Sequence, residues 1–211
     1  APAGRISPVN LLFIHQNFPA QFVHLAPAMA ARGHNVRALT ITGGGIPGLE
    51  VVRYPVSRGT SPNIHRWAAD YETKLIRGEA CGAAAERMRA SGYTPDLIIG
   101  HPGWGEMLFL KDIWPDVPQL HFLEFYYSSQ GGDVGFDPEF PRKDWLDAAR
   151  VRAKNANGLL NLDGMDAAYS PTEWQRSSYP ALYRPRIEVV HDGIDTDGLV
   201  PNPEVSLTLG E

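Results

Sequence analysis

The stretch of residues 9–41, VNLLFIHQNFPAQFVHLAPAMAARGHNVRALTI, decides the fold of this chain. Residues 9–14 are an apolar run without the alternation of a half-exposed strand, which predicts a strand covered on both faces, as in the centre of a parallel sheet. After a turn at residues 15–19, apolar residues recur at helical spacing, and Gly33 suits the end of that helix. Residues 36–41 are again β-type. The stretch therefore predicts two parallel strands joined by a helix.

The turn at residues 15–19 is a candidate site, because ligands of open parallel sheets bind outside the carboxyl ends of the strands. Asn17 can cap a helix, and Pro19 suits a first helical turn that needs no amide donor. The structural alternative is that these two residues only start the helix. Pro27 conflicts with a helix interior, so we expect a kink or a late helix start.

The rest of the chain repeats the alternation of strands and helices. Further strands are predicted at residues 49–54, 96–100, 118–125, 167–170 and 186–191, and helices from residue 63 and at residues 107–114, 144–160 and 171–179. The helix at 144–160 is expected to bury Trp145, Ala149, Ala153, Ala156 and Leu160. The predicted fold class is α/β, with one Rossmann-like parallel sheet of about seven strands and helices on both faces. The glycine-rich segment 42–48 is predicted as a mobile loop, and segment 126–141, too long for a simple connection, as a functional loop.

Composition excludes several classes of protein. The net charge of −5 argues against a nucleic-acid partner, and the single Cys81 excludes an internal disulfide framework and fits a reducing compartment. No apolar stretch approaches the roughly 20 residues of a transmembrane helix. A cytoplasmic chain is expected. Residues 1–8 lack the apolar core of a signal peptide and are interpreted as a leader or cloning remnant.

Four phrases carry a resemblance to a known family. They are FIHQNFPAQFVHLAPAMAARGH at residues 13–34, GHPGWGEMLFLKDIWPDVP at 100–118, LEFYY at 123–127 followed by GGDVGFDPEFP, and SPTEWQRSSYP at 170–180 with VVHDGIDTD at 189–197. In this order they resemble the amino-terminal half of a family 4 glycosyltransferase, the retaining, nucleotide-sugar-dependent group with the two-domain GT-B fold.

The resemblance implies that residues 9–201 form the acceptor-side domain and that residues 202–211 begin a linker or tail. In the family, the second domain carries the nucleotide-sugar pocket and its paired glutamates, and no segment here matches it. The chain alone is therefore expected to be inactive. The implied partners are a nucleotide-sugar donor, which serves as co-substrate without a further cofactor, and a sugar or lipid-linked acceptor. Peripheral contact with the inner membrane surface is compatible with such an acceptor.

The candidate catalytic residues are His101 and Glu124, which end the fourth and fifth predicted strands. His101, Gly103, Trp104 and Gly105 form a turn whose backbone amides suit sugar hydroxyls or a phosphate, although Trp104 could merely pack. Some family members carry a histidine of the catalytic region where Glu124 stands. A carboxylate there could accept hydrogen bonds from sugar hydroxyls, and the alternative is a structural ion pair with a neighbouring arginine.

Further candidate substrate-binding residues lie on the same edge of the predicted sheet. In the family's better-known first turn, two glycines approach the donor diphosphate. Asn17, Phe18 and Pro19 stand there instead, so Asn17, Gln21 or no residue of this domain would make that contact. Tyr126 and Tyr127 offer rings and hydroxyls for a sugar or for packing. Thr172 and Gln175 begin a helix, where Thr172 could equally be its cap.

The sequence lacks the motifs of several other functional classes. The seven histidines are scattered without cysteine partners or an HExxH spacing, so we expect no metal site. No G-x-G-x-x-G follows the first strand, which argues against a nicotinamide-binding domain, and no G-x-S-x-G occurs. Two alternatives stay open: a non-catalytic carbohydrate-binding or scaffolding protein, and half of a sugar-nucleotide epimerase.

Overall fold

A single parallel sheet organises the computed structural model, which describes residues 7–132, 134–140 and 144–208. The strands are β1 (Asn10–Ile14), β2 (Asn17–Phe18), β3 (Asn35–Thr40), β4 (Thr42–Gly43), β5 (Glu50–Arg53), β6 (Leu97–Gly100), β7 (Gln119–Phe122), β8 (Ala167–Ser170) and β9 (Ile187–Val189). Seven of them form one sheet in the order β5-β3-β1-β6-β7-β8-β9, with every neighbouring pair parallel. This confirms the predicted α/β, Rossmann-like class. The short β2 and β4 pair separately, inside the turn and the loop that were predicted there.

Helices cover both faces of the sheet. They are α1 (Leu25–Ala31), α2 (Ala69–Ala90), α3 (Leu110–Ile113), α4 (Trp145–Lys154), α5 (Ala156–Gly164) and α6 (Glu173–Ser178). Leu12 and Ile14 of β1 belong to one core with α2 and α3, whereas Leu11 and Phe13 belong to the other with α1. The prediction that β1 is buried on both faces is confirmed. Among the described residues, no helix is both long and apolar enough to cross a membrane.

The strand order places a crevice between the carboxyl ends of β1 and β6. The chain runs from β1 outward to β3 and β5, and then returns to β6 on the other side of β1. Helices therefore leave these two neighbouring strands toward opposite sides, which opens the crevice where doubly wound sheets bind ligands.

The first helix begins later than the turn residues predicted. Pro19 is followed by a single 3-10 turn at Ala20–Phe22, and α1 begins only at Leu25. Pro27 then lies in the first turn of α1, where its missing amide hydrogen breaks no intrahelical bond. The late-start expectation is confirmed, and the helix-capping role of Asn17 is wrong, since Asn17 pairs with Thr42 in the two-stranded sheet.

Helix α2 starts at Ala69 rather than near residue 63, and its two glycines allow close packing. A Cβ atom on Gly78 would lie 2.7 Å from the carbonyl oxygen of Gly105, and one on Gly82 would touch Ile113 and Phe109. These positions interrupt the apolar stripe of the sequence because the turn after β6 and helix α3 pack directly on the α2 backbone.

The predicted helix at 144–160 is wrong as a single element. It divides into α4 and α5 at Asn155, and its expected inward residues Trp145 and Leu160 are 72% and 52% exposed. Asn155 turns inward instead and exchanges two hydrogen bonds with the backbone of Tyr127. The helix predicted at 107–114 contracts to α3, and the strands predicted at 118–125 and 186–191 shorten to β7 and β9.

Some predicted segments fall partly outside the described residues. These are the leader (residues 1–6 of 1–8), the functional loop (133 and 141 of 126–141), and the tail (209–211 of 202–211).

Candidate functional site

The carboxyl ends of three neighbouring strands bring together two histidines and a glutamate. His15 follows β1, His101 follows β6, and Glu124 lies two residues beyond β7. The His15 and His101 rings meet edge to face, with their centroids 5.6 Å apart. Because these strands are adjacent in the sheet, side chains that are up to 109 positions apart in the chain share one crevice.

His101 is held in one tautomer by its two hydrogen bonds. Its Nδ1 atom accepts the amide hydrogen of Gly103 at 3.0 Å and thereby caps the 3-10 turn Pro102–Trp104. A neutral imidazole that accepts at Nδ1 carries its proton on Nε2. Nε2 lies 2.8 Å from Oε2 of Glu124, so His101 donates this hydrogen bond to the carboxylate.

Glu124 is held ionised at the mouth of the crevice. The hydrogen bond from His101 lowers the pKa of Glu124 against the opposing effect of burial, and the Gln21 amide adds a longer hydrogen bond of 3.4 Å to Oε1. Its side chain is 42% exposed. Among the described residues the partners of Glu124 are His101 and Gln21, so no arginine of this part of the chain forms the ion pair that the alternative required.

His15 is one of the site residues that the sequence analysis did not single out. It is buried, its Nδ1 atom accepts the amide hydrogen of Asn17, and its Nε2 atom makes no hydrogen bond within the described part of the chain. Burial, and after it the nearby His101, lowers the pKa of His15 to about 4. The ring is therefore neutral at pH 7. The sequence feature that could have identified His15 is its position directly after the first strand, in the turn that was predicted as a site.

A cavity of about 400 Å³ opens beside Glu124. Six of the predicted site residues line it: His101, Gly103, Trp104, Glu124, Tyr126 and Tyr127. The sequence analysis missed the contributions of α2 and of the α4–α5 junction, which include Asp70, Lys74, Arg77, Lys154 and Asn157. Helical spacing predicted that α2 is amphipathic, but it could not predict that residues of its polar face line this cavity.

The two turn glycines are explained by packing. A Cβ atom on Gly103 would lie 2.5 Å from the His101 ring, and one on Gly105, where φ is +107°, would lie 2.2 Å from the carbonyl oxygen of Lys74. The amide of Gly103 donates to His101, and that of Gly105 donates to Pro102. Direct binding of a ligand by these amides stays a prediction.

The candidates in the first turn divide into three environments. Phe18 is completely buried in the core under α1, where it has no surface for a ligand. Asn17 is exposed but lies outside the cavity lining, beside Thr42. Gln21 touches the site through Glu124. Of the three, Gln21 is therefore joined to the catalytic candidates.

The tyrosine pair is fixed by neighbouring helices. The Tyr126 amide donates to Ser178, and its ring packs against Tyr179 with centroids 5.7 Å apart. The ammonium of Lys154 lies 3.8 Å from the centroid of the Tyr127 ring. Both tyrosines thus have structural contacts and also line the cavity.

Thr172 and Gln175 form the start of α6 outside that lining. The Thr172 hydroxyl accepts the Gln175 amide hydrogen at 3.2 Å, so Thr172 is the helix cap that the sequence allowed. Within the described residues, no three His, Cys, Asp or Glu side chains are grouped so that they could hold a metal ion.

Solved structures share this fold at low sequence identity. Starch synthase IV from Arabidopsis thaliana superposes with a TM-score of 0.53 and 14% identity over 91% of this chain and 53% of that one. UGT2 from Phytolacca americana superposes with a TM-score of 0.55 and 10% identity, over 90% of this chain and 56% of that one. A sucrose-phosphate synthase from Thermosynechococcus elongatus superposes with a TM-score of 0.51 and 16% identity, over 89% of this chain and 90% of that one. This chain thus spans about half of the first two structures and most of the third, and the likeness to all three shows that it shares their fold.

The sequence itself matches a family model. A search of curated proteins found no match. The model described as the glycosyl transferase family 4 group, however, matches residues 32–199, which is well over half of the chain. The chain therefore belongs to the family 4 group of glycosyltransferases.

Proposed function

We propose that this chain is the acceptor-side half of a retaining, nucleotide-sugar-dependent glycosyltransferase. The observation that carries the proposal is the hydrogen-bonded pair of His101 and Glu124, which lines an open cavity at the carboxyl edge of the sheet. A second, donor-binding domain would close over this edge. The extent of the structural matches, about half of each of two glycosyltransferase chains, supports this division.

Glu124 acts on the reacting sugars. Transfer of a glycosyl group builds positive charge on the donor ring, and an ionised carboxylate close to that ring stabilises the charge or orients an acceptor hydroxyl. Neutral His101 holds the carboxylate through Nε2–H and keeps its pKa low, so Glu124 stays charged at neutral pH. His15, neutral and buried behind His101, adds no positive charge that would draw the carboxylate away.

The cavity supplies surfaces for an acceptor sugar. Trp104 is 40% exposed and stacks on His101, with the ring planes 27° apart. Trp104 and Tyr127 line the cavity, where aromatic rings suit the apolar face of a pyranose, and Glu124 would accept hydrogen bonds from its hydroxyl groups.

The donor is a nucleotide sugar that the second domain would bind. The starch synthase structure holds ADP and acarbose, and the Phytolacca structure holds UDP-2fluoro-glucose, which favours a nucleoside diphosphate sugar here. A cytoplasmic location, a lipid-linked acceptor and contact with a membrane surface stay predictions.

Product analysis tests the proposal. A protein that contains this chain together with a donor-binding half is incubated with nucleoside diphosphate sugars, with and without sugar acceptors, and the products are followed by NMR. We expect a new glycoside with the donor's anomeric configuration, formed only with an acceptor. An inverted product would contradict retention. Release of free nucleotide without any acceptor would favour the epimerase, and sugar binding without turnover would favour a carbohydrate-binding protein.

A further inference from the structure

The cavity beside Glu124 is lined by positive charge that no carboxylate among the described residues fully neutralises. Three cationic side chains line it, Lys74 and Arg77 from α2 and Lys154 from the end of α4. The lining includes two carboxylates, and both are already engaged. Asp70 pairs with Lys74 at 2.6 Å, and Glu124 accepts from His101. Arg77 and Lys154 therefore line the cavity without a carboxylate partner among the described residues, and Arg77 also borders a neighbouring cavity of about 340 Å³.

Of the two cationic side chains, Arg77 gives the stronger evidence for a bound anion. Its side chain is only partly exposed, yet it forms no hydrogen bond or ion pair within the described part of the chain. The buried Glu106 carboxyl is close enough for the charge of Arg77 to lower its pKa, although burial raises that pKa more, and the two groups form no hydrogen bond. A half-buried guanidinium without a partner is costly, and a bound anion would satisfy its fork of donors.

Lys74 and Lys154 are both held in place. Lys74 is 7% exposed and is anchored by Asp70, while its backbone packs against Gly105. The Lys154 ammonium lies over the Tyr127 ring, where a cation–π contact restricts it. The positive charges are thus placed on the same cavity as the aromatic rings and the carboxylate proposed to act on the acceptor.

We infer that the acceptor is a phosphorylated sugar, with its ring beside Glu124 and Tyr127 and its phosphate bound by Arg77 and Lys154. This rests on the proposed function, since it names the acceptor class of that same site. A volume of about 400 Å³ suits one sugar ring with one phosphate. Arginine binds phosphate oxygens in a bidentate manner and lysine adds a point charge, whereas a neutral sugar would leave both cations unpaired.

Calorimetric titration of the chain tests this inference. The probes are hexose phosphates, the parent hexoses, glucuronate, inorganic phosphate and UDP. We expect a hexose phosphate to bind more tightly than its parent hexose, with an affinity that falls as salt rises, and inorganic phosphate to compete. Arg77→Gln and Lys154→Gln should each weaken that binding roughly tenfold or more, and by a clearly larger factor than they weaken binding of the parent hexose. Arg89→Gln, on the same helix but paired with Glu86 outside the cavity, is the matched control.

The outcomes separate this inference from the proposed function. Equal binding of hexose and hexose phosphate, or tight binding unaffected by both substitutions, would overturn it. So would glucuronate binding that exceeds hexose phosphate binding, or Arg77-dependent binding of UDP alone, which would assign the cations to the donor diphosphate. Arg77-dependent binding of a hexose phosphate without transfer in the two-domain protein would support the anion site and overturn the proposed function instead.

Discussion

The Nε2 atom of His101 lies 2.8 Å from Oε2 of Glu124, and this hydrogen bond joins the ends of two neighbouring strands. The opposite ring nitrogen of His101 is occupied by the Gly103 amide. The imidazole therefore cannot turn toward solvent without losing both bonds, and the carboxylate is fixed with it. The chemistry proposed for this chain depends on that fixed, ionised carboxylate.

Glu124→Gln in a protein that carries both halves should lower the rate of transfer roughly a hundredfold, because the substitution removes one positioned charge and keeps the shape. The change in kcat should exceed the change in KM, and the thermal unfolding midpoint should be retained. Steady-state kinetics and thermal melts are the measurements.

Glu86→Gln is the matched control, since Glu86 is an exposed glutamate paired with Arg89. It should change neither the rate nor the fold. Full activity of Glu124→Gln accompanied by a loss of stability would mean that Glu124 is a structural partner of His101.

His101 should act on catalysis through Glu124. His101→Ala removes the largest effect that lowers the pKa of Glu124, so that pKa should rise. His101→Gln retains a donor near the position of Nε2 and should raise it less. The pKa is read from carboxyl carbon shifts in an NMR titration. An identical Glu124 titration in both variants and the wild type would contradict the hydrogen bond.

Glu106 should make stability depend on pH near neutrality. It is completely buried, its carboxyl oxygens have no hydrogen-bond partner among the described residues, and burial raises its pKa from 4.5 to about 7. The folded chain thus binds this proton more tightly than the unfolded chain does. The resulting stabilisation is complete below about pH 4.5 and is lost as the pH rises through 7.

Glu106→Gln should remove that loss. At pH 8 the variant should be more stable than the wild type by roughly 3 kcal/mol, and near pH 4.5 the two should be similar. Urea unfolding at several pH values gives the difference. The lowered pKa values of His15 and His121 cause acid destabilisation in both proteins, so they cancel in the comparison. Parallel stability curves would show that Glu106 does not titrate in this range.

Gly105 should tolerate substitution less well than Gly92. Both have positive φ, but a Cβ atom at Gly105 would overlap the Lys74 carbonyl, whereas a Cβ atom at Gly92 would have no heavy atom of the described residues within 4 Å. Gly92→Ala should cost about 1–2 kcal/mol from the backbone alone, and Gly105→Ala about 3 kcal/mol or more. Urea unfolding measures both. Equal losses would mean that the turn can move away from α2.

The sheet could be predicted from the sequence because each of its strands is a short apolar run, which can be identified without knowing the neighbouring strands. The same reasoning placed His101 and Glu124 at one edge of the sheet, as the structure has them, since each lies at the end of such a run and the ends of parallel strands meet there. Within the first turn, the sequence could not separate the buried Phe18 from Gln21, because which side chain enters the core depends on how β2 pairs with β4.

Long-range contacts account for what the sequence did not predict. The predicted helix at 144–160 breaks because Asn155 bonds to the Tyr127 backbone, 28 positions away. The sequence analysis did not single out Lys74 and Arg77 of α2, which line the cavity, and Gly78 of the same helix packs against the turn after β6. These contacts are tertiary, so local spacing carried no signal for them.

Calorimetric titration of this chain with a panel of nucleoside diphosphate sugars tests most directly that it is the acceptor-side half. The donor pocket is assigned to a second domain, so we expect no binding tighter than the millimolar range, with or without an acceptor present. Micromolar binding of a nucleotide sugar to this chain alone would contradict the account, because it would place the donor site within these strands.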